Sequence, residues 1–135
     1  MEFSELVRAR RSIRDYLDNA VIEDEELTAL FSEVSQAPSA FNLQQWRFVV
    51  VRQTARKEVL KDLCYGQGQI LGCSALVVVC GDLRAHEASE TIYAHESEPI
   101  KRKFLPMIKS IYADNESFQR DEAIRGASLA GMCLM

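Results

Sequence analysis

Two short apolar runs most constrain how this chain can fold. Trp46, Phe48, Val49, Val50 and Val51 follow one another with only Arg47 between them, and Ala75-Leu76-Val77-Val78-Val79-Cys80 repeats that composition further on. Runs rich in β-branched residues, without apolar–polar alternation, predict strands covered on both faces. Gly81-Asp82 closes the second run.

Helical patterns surround these strands. Phe3, Leu6 and Val7 recur at i, i+3 and i+4, so the chain starts as an amphipathic helix running toward a group of arginines. Ile13 and Tyr16 predict an extended exit from it, and Asp15, Asp18 and Asn19 mark a turn. Leu27, Leu30, Phe31 and Val34 form a second helical stripe, with Glu23, Asp24, Glu25 and Glu26 suited to the positive end of its dipole. The stretch Gln36 to Gln45 is a loop by composition, and Pro38 holds Ala37 out of helix. Thr54 can cap a helix carrying Val59, Leu60 and Leu63, which Gly66-Gln67-Gly68-Gln69 breaks. Residues 83–113 are helical in pattern, ended or kinked at Pro99 and Pro106. This charged segment reads either as a solvated excursion or as a lid. Asp114 or Asn115 caps a last helix, where Ala123, Gly126, Ala127, Ala130 and Gly131 put small residues on neighbouring faces. Such spacing serves either packing inside one core or close approach at a subunit interface.

Arg8-Ala9-Arg10-Arg11-Ser12-Ile13-Arg14 places four arginines in seven positions of a chain whose net charge is −4. Guanidinium groups match phosphate oxygens geometrically and stay charged at any working pH. The cluster can therefore hold one phosphate without making the surface basic. The plain alternative is a solvated helix end pairing with Glu2, Glu5 or Asp15, and Arg8 fits that description best. A pI near 5.2 argues against general binding to nucleic acid or a membrane surface. Neither a signal peptide nor a run of ~20 apolar residues is visible. Cys64, Cys73, Cys80 and Cys133 form no C-x-x-C pair and read as reduced, mostly buried thiols of a cytoplasmic protein. His86 and His95 do not share a helical face, match no metal-ligand spacing, and read as surface residues. No G-x-G-x-x-G follows either strand, which disfavours a dinucleotide-binding domain of Rossmann type. Trp46 reads as core.

Four stretches, taken in order, resemble the nitroreductase family of flavin enzymes. They are Arg10-Arg11-Ser12-Ile13-Arg14 after a first helix, Ala37-Pro38-Ser39-Ala40-Phe41-Asn42-Leu43-Gln44-Gln45-Trp46 entering a strand, Gln67-x-Gln69 before the second strand, and Gln119-Arg120-Asp121-Glu122-Ala123 opening a small-residue helix. The family shows x-R-R-S-x-R and then a Pro-Ser loop ending in Gln-Pro-Trp; here Gln45 stands in place of that proline. The later part is similar to NAD(P)H nitroreductases with quinone-stress connections.

The resemblance implies an α+β fold with a central, mainly antiparallel sheet flanked by helices, in an intertwined homodimer with FMN at the subunit interface. It assigns Arg10, Arg11, Ser12 and Arg14 to the FMN phosphate and ribityl chain. It lays Pro38, Ser39, Ala40 and Asn42 of the other subunit along the flavin, and sets Gln67 and Gln69 near the ring and ribityl hydroxyls. The implied activity is two-electron, ping-pong transfer from NAD(P)H to a nitroaromatic or quinone, with no catalytic side chain and no metal, because the flavin carries the chemistry. A non-catalytic flavin- or phosphate-ligand-binding protein on the same scaffold is the alternative. Without the resemblance, the Pro-Ser loop is an ordinary connector and the glutamines are polar residues in a turn. Residues 1–135 are expected to form one nitroreductase-like domain lacking the family's C-terminal part.

Overall fold

A computed structural model describes residues 2–17 and 20–135; the expected turn at Asp18 and Asn19 lies outside the described residues. Its helices are α1 (Phe3–Ala9), α2 (Asp24–Val34), α3 (Thr54–Leu63), α4 (Gln69–Gly72), α5 (Ser89–Ile92), α6 (Glu98–Tyr112) and α7 (Glu116–Cys133). The strands are β1 (Trp46–Val51) and β2 (Leu76–Gly81), which pair with each other. The Asp82 N–H donates to the Gln45 carbonyl at 2.6 Å, so the start of β1 lies beside the end of β2 and the pair is antiparallel. The α+β expectation therefore holds. Coverage on both strand faces does not: Val49 is 52% exposed, and Val50, Val78 and Val79 are exposed as well. Among the described residues the sheet has two strands, and neither lies between two neighbours.

The chain divides into two compact units, and the boundary runs through α2, β1 and β2. The first comprises residues 1–27, 50–78 and 135. Here α1 forms as predicted but buries none of its residues, so Phe3, Leu6 and Val7 are exposed. Past Ala9 the helix ends at Arg10, and residues 10–17 carry no regular element. Acidic residues open α2, and Arg52 ties this end down by donating to Asp24 and to the Ile22 carbonyl at 2.6 and 2.8 Å. The N-cap of α3 is Gln53 rather than Thr54, and no side chain caps it. Val59 and Leu63 face solvent, whereas Lys57 is the buried residue of α3.

The second unit comprises residues 28–49 and 79–134 and holds two apolar clusters. Val34, Ala37, Trp46 and Ala130 form one, with Leu30, Phe48 and Leu134 against it. Phe31 and Phe48 stack with centroids 4.9 Å apart. Leu43, Ala85, Ile108 and Tyr112 form the other, with Phe41, Tyr93, Phe104 and Phe118 packed on it. Burying each large apolar side chain contributes about 1.5–3 kcal/mol, so these clusters dominate the unit's stability.

Residues 83–113 are helical but are interrupted less than expected. Pro99 lies in the first turn of α6, where its missing N–H costs nothing. Pro106 lies inside α6 without ending it; the helix loses one backbone bond there and continues to Tyr112. Asn115 caps α7, its side chain accepting from the Phe118 N–H at 3.2 Å. Of the small residues on α7, Ala123, Gly126 and Ala130 are buried and pack within this unit. Cys133 is exposed and the other three thiols are half-buried, which corrects the expectation of mostly buried cysteines; all four are free.

Gly81 sits against α7 so closely that a Cβ there would meet the Ala123 carbonyl oxygen at 2.8 Å. The obstacle is helix backbone, which cannot rotate away. Gly81→Ala should therefore cost about 1–3 kcal/mol. Gly72→Ala, where a Cβ meets nothing within 4 Å, is the matched control. Urea denaturation of the two variants checks the difference.

Candidate functional site

The first unit contains the arginine segment and the glutamine turn. Arg8, Arg11 and Arg14 are exposed and Arg10 is half-buried. The Arg11 guanidinium donates back to the carbonyls of Arg8 and Arg10, which fixes the segment as it leaves α1. The ion pairs found in the structure join Arg47–Asp82, Arg52–Asp24, Lys101–Glu98, Arg120–Asp121 and Arg125–Glu122. Among the described residues, none of the four clustered arginines pairs with a carboxylate, so the surface-pairing alternative lacks its partners. Ser12 lies between them, also exposed.

Gln69 opens α4, and its side-chain amide donates to the Gln67 Oε1 at 2.7 Å. The two glutamines thus act together, Gln67 exposed and Gln69 half-buried. Tyr65 and Gly66 ahead of them take left-handed backbone, at φ 58° and 72°, and reverse the chain between α3 and α4. The far end of this turn is held by Lys57, whose ammonium donates to the carbonyls of Leu71 and Cys73 at 3.2 and 2.7 Å. Lys57 was not legible as a site-supporting residue. The available signal was its position three residues before Leu60, on the face that packs.

The Pro38–Gln45 loop belongs to the second unit. Ala40–Asn42 form a single 3₁₀ turn within it. Phe41, Asn42 and Gln44 all have positive φ, at 55°, 54° and 48°. Phe41 and Gln44 in that region cost of order 1–3 kcal/mol each and persist only where surroundings enforce them, whereas asparagine tolerates it more readily. The enforcement is visible. The Gln44 N–H donates to Ser39 Oγ at 3.0 Å, and its side chain donates to Asn42 Oδ1 at 3.3 Å. Ser39 Oγ is used here as an acceptor, so its own proton stays uncommitted among the described residues. Pro38 and Asn42 are exposed, while Ser39 and Ala40 are half-buried.

Beyond the loop tip the chain is anchored. Leu43 and Gln45 are 2% and 1% exposed. Gln45, standing where the family pattern has proline, donates from its side chain toward the Tyr112 hydroxyl at 3.5 Å. Its Oε1 is buried and has no partner among the described residues. Arg47 grips the adjoining backbone, donating to the carbonyls of Gln44 and Trp46 at 2.9 and 2.7 Å and to Asp82 at 2.7 Å. The Tyr93 hydroxyl donates to the Phe41 carbonyl at 3.1 Å. Burial, with the Glu96 charge nearby, raises the Tyr93 pKa above 10.0, so this donor keeps its proton at neutral pH. Burial likewise raises Tyr112, opposed by its bond with Gln45 and by Arg125. His86 is not a surface residue as predicted: its ring stacks on Tyr112 with centroids 5.1 Å apart, and its Nδ1 is buried. His95 is exposed as expected. Among the described residues, no group of His, Cys, Asp and Glu could hold a metal ion. No described helix is long and apolar enough to cross a membrane.

This fold is that of the nitroreductase-type oxidoreductases. A structure from Bacillus subtilis assigned as a nitroreductase superposes with a TM-score of 0.92 at 36% identity, over 98% of this chain and 68% of that one. Another, from Exiguobacterium sibiricum and described as a nitroreductase in complex with FMN, gives 0.91 at 32% identity, over 100% of this chain and 68% of that one. The B. subtilis protein YodC, named as an NAD(P)H nitroreductase, is 41% identical over 97% of this chain and 67% of its own length. The model of the nitroreductase family matches residues 7–129, and the chain belongs to that family. It spans about two thirds of the length of these relatives.

Lys57→Met should leave the Leu71 and Cys73 carbonyls without their donor and cost about 1–3 kcal/mol. Faster amide exchange over residues 67–73, with exchange over 98–112 unchanged, is the local signature to look for.

Proposed function

We propose that this protein binds FMN and uses it to pass electrons from NAD(P)H to a nitroaromatic or quinone acceptor, in a two-electron, ping-pong reaction. The observation that carries the proposal is the group of clustered guanidiniums that, among the described residues, have no carboxylate partner in an acidic chain. A phosphate group bearing about −1.5 to −2 charges needs such a donor set, and bidentate guanidinium contacts are its strongest match. The donor set fits: Arg10, Arg11, Ser12 and Arg14 would hold the phosphate and ribityl chain. The uncommitted Ser39 proton and the Gln67–Gln69 pair would supply uncharged donors, with Pro38, Ala40 and Asn42 shaping the loop beside the flavin. The relative described in complex with FMN supports FMN as the bound group.

Bound FMN supplies the hydride and electron chemistry. The residues named here bind and orient it, and their amide and hydroxyl donors favour negative charge accumulating on the reduced ring. The same reading makes the protein a cytoplasmic homodimer, with the arginine segment of one subunit and the Pro-Ser loop of the other enclosing each flavin. It also treats residues 1–135 as parts of one domain.

Purified protein should show the visible absorption of a flavin, with FMN identified by mass after release, and NAD(P)H should bleach it. Replacing Arg10 and Arg14 together by alanine should release the cofactor, lowering affinity at least a hundredfold at about 1.5–3 kcal/mol for each charge-assisted contact. Retention of FMN by that variant would sink the phosphate assignment. Bound flavin that NAD(P)H does not reduce would favour the non-catalytic carrier.

A further inference from the structure

We infer that residues 93–112 brace the strained Pro-Ser loop from behind, and that Tyr93 and Tyr112 are positioning residues for the cofactor-binding loop. The inference rests on the function proposed above for its cofactor arm, and on geometry alone for its structural arm.

Several contacts converge on the two ends of Phe41–Gln45. The Tyr93 hydroxyl donates to the carbonyl of Phe41, the first left-handed residue. The Phe41 ring meets Phe104 and Tyr112 edge-on, with centroids 6.3 and 6.4 Å away. Tyr93 and Phe104 lie 6.1 Å apart, so the hydroxyl donor and the aromatic wall form one surface. The Tyr112 hydroxyl meets Gln45 at the other end of the loop. Tyr112 is itself fixed between the His86 and Phe118 rings, at 5.1 and 5.0 Å. Phe41 and Gln45 thus bracket the left-handed stretch, and both are held by the segment that the sequence left open as an excursion or a lid. A lid makes contacts it can release. These contacts are buried or half-buried and serve to keep a costly backbone in place. A cavity of ≈ 230 Å³ lined by Asn42, Ile92, Tyr93, Glu96, Ile100 and Phe104 opens beside this brace. Motion of Tyr93 would act on the Phe41 carbonyl, the peptide unit that leads into Asn42.

Tyr93→Phe tests the brace, because it removes one hydroxyl and keeps the ring. Hydrogen exchange, read by mass spectrometry on the whole protein, should show residues 39–45 opening roughly tenfold faster. That is the size expected when a hydrogen bond is lost and its acceptor left unpaired. Exchange over 116–133 should stay unchanged. FMN affinity, measured by ultrafiltration and absorbance, should weaken by a similar factor, and the visible flavin bands should shift. Tyr112→Phe should act in the same direction through Gln45. Unchanged exchange over 39–45, or acceleration everywhere together, would overturn the brace. Faster local exchange with FMN affinity and spectrum unchanged would overturn the positioning role. If the wild-type protein takes no FMN, the function proposed above fails and the positioning role falls with it, while the exchange result still decides the brace.

Discussion

Much of the second unit is arranged around an unfavourable stretch of backbone. Phe41 and Gln44, on either side of Asn42 and Leu43, hold a conformation that their side chains disfavour. A free peptide of this sequence would leave that conformation. Aromatic packing on Phe41, a hydroxyl on its carbonyl, the Ser39–Gln44 bond and the burial of Leu43 and Gln45 together make leaving it costlier than staying. The strain is local and the compensation is spread over α6, α7 and the turns before them. A loop held this way presents exposed polar groups, such as Asn42, on a rigid frame. Low mobility in the free state reduces the ordering entropy that binding must overcome.

Close backbone approach on α7 follows from the same economy of space. Gln45 can be buried because Gly126 leaves room for it; a Cβ at 126 would stand 2.8 Å from its Oε1. Ala123 receives Gly81, and Ala130 sits with Trp46. The small residues of α7 are thus shaped to particular neighbours, one at each of three turns. Glu122, buried on the same helix, keeps its charge compensated by Arg125.

Much of this was legible in the sequence because periodicity and punctuation are local signals. The two valine runs became β1 and β2, the Leu27–Val34 stripe became α2, and Asn115 capped α7. Burial was less legible. Val49 and Val79 carry the composition of covered strand residues and are exposed, because burial depends on neighbours that a run of valines does not name. The arginine and glutamine segments could be proposed from residue type and order. Their supports could not: Lys57 reaches 14 and 16 residues along the chain, and Tyr93 reaches 52. Such long-range bonds leave no spacing pattern. Pro106 does not end its helix: α6 continues past it to Tyr112, where Ile108 and Tyr112 are packed into the core.

Trp46 follows directly from this arrangement. It is the one tryptophan in the sequence. It is 6% exposed, sits in the cluster with Val34, Ala37 and Ala130, and its carbonyl is gripped by Arg47 immediately after the loop. The sequence therefore places its one indole at the junction of the Pro-Ser loop and β1. Its emission should be that of an indole in an apolar environment. Any slippage of the loop's anchor, or loosening of α7 beneath it, is reported without a label when that indole is excited selectively.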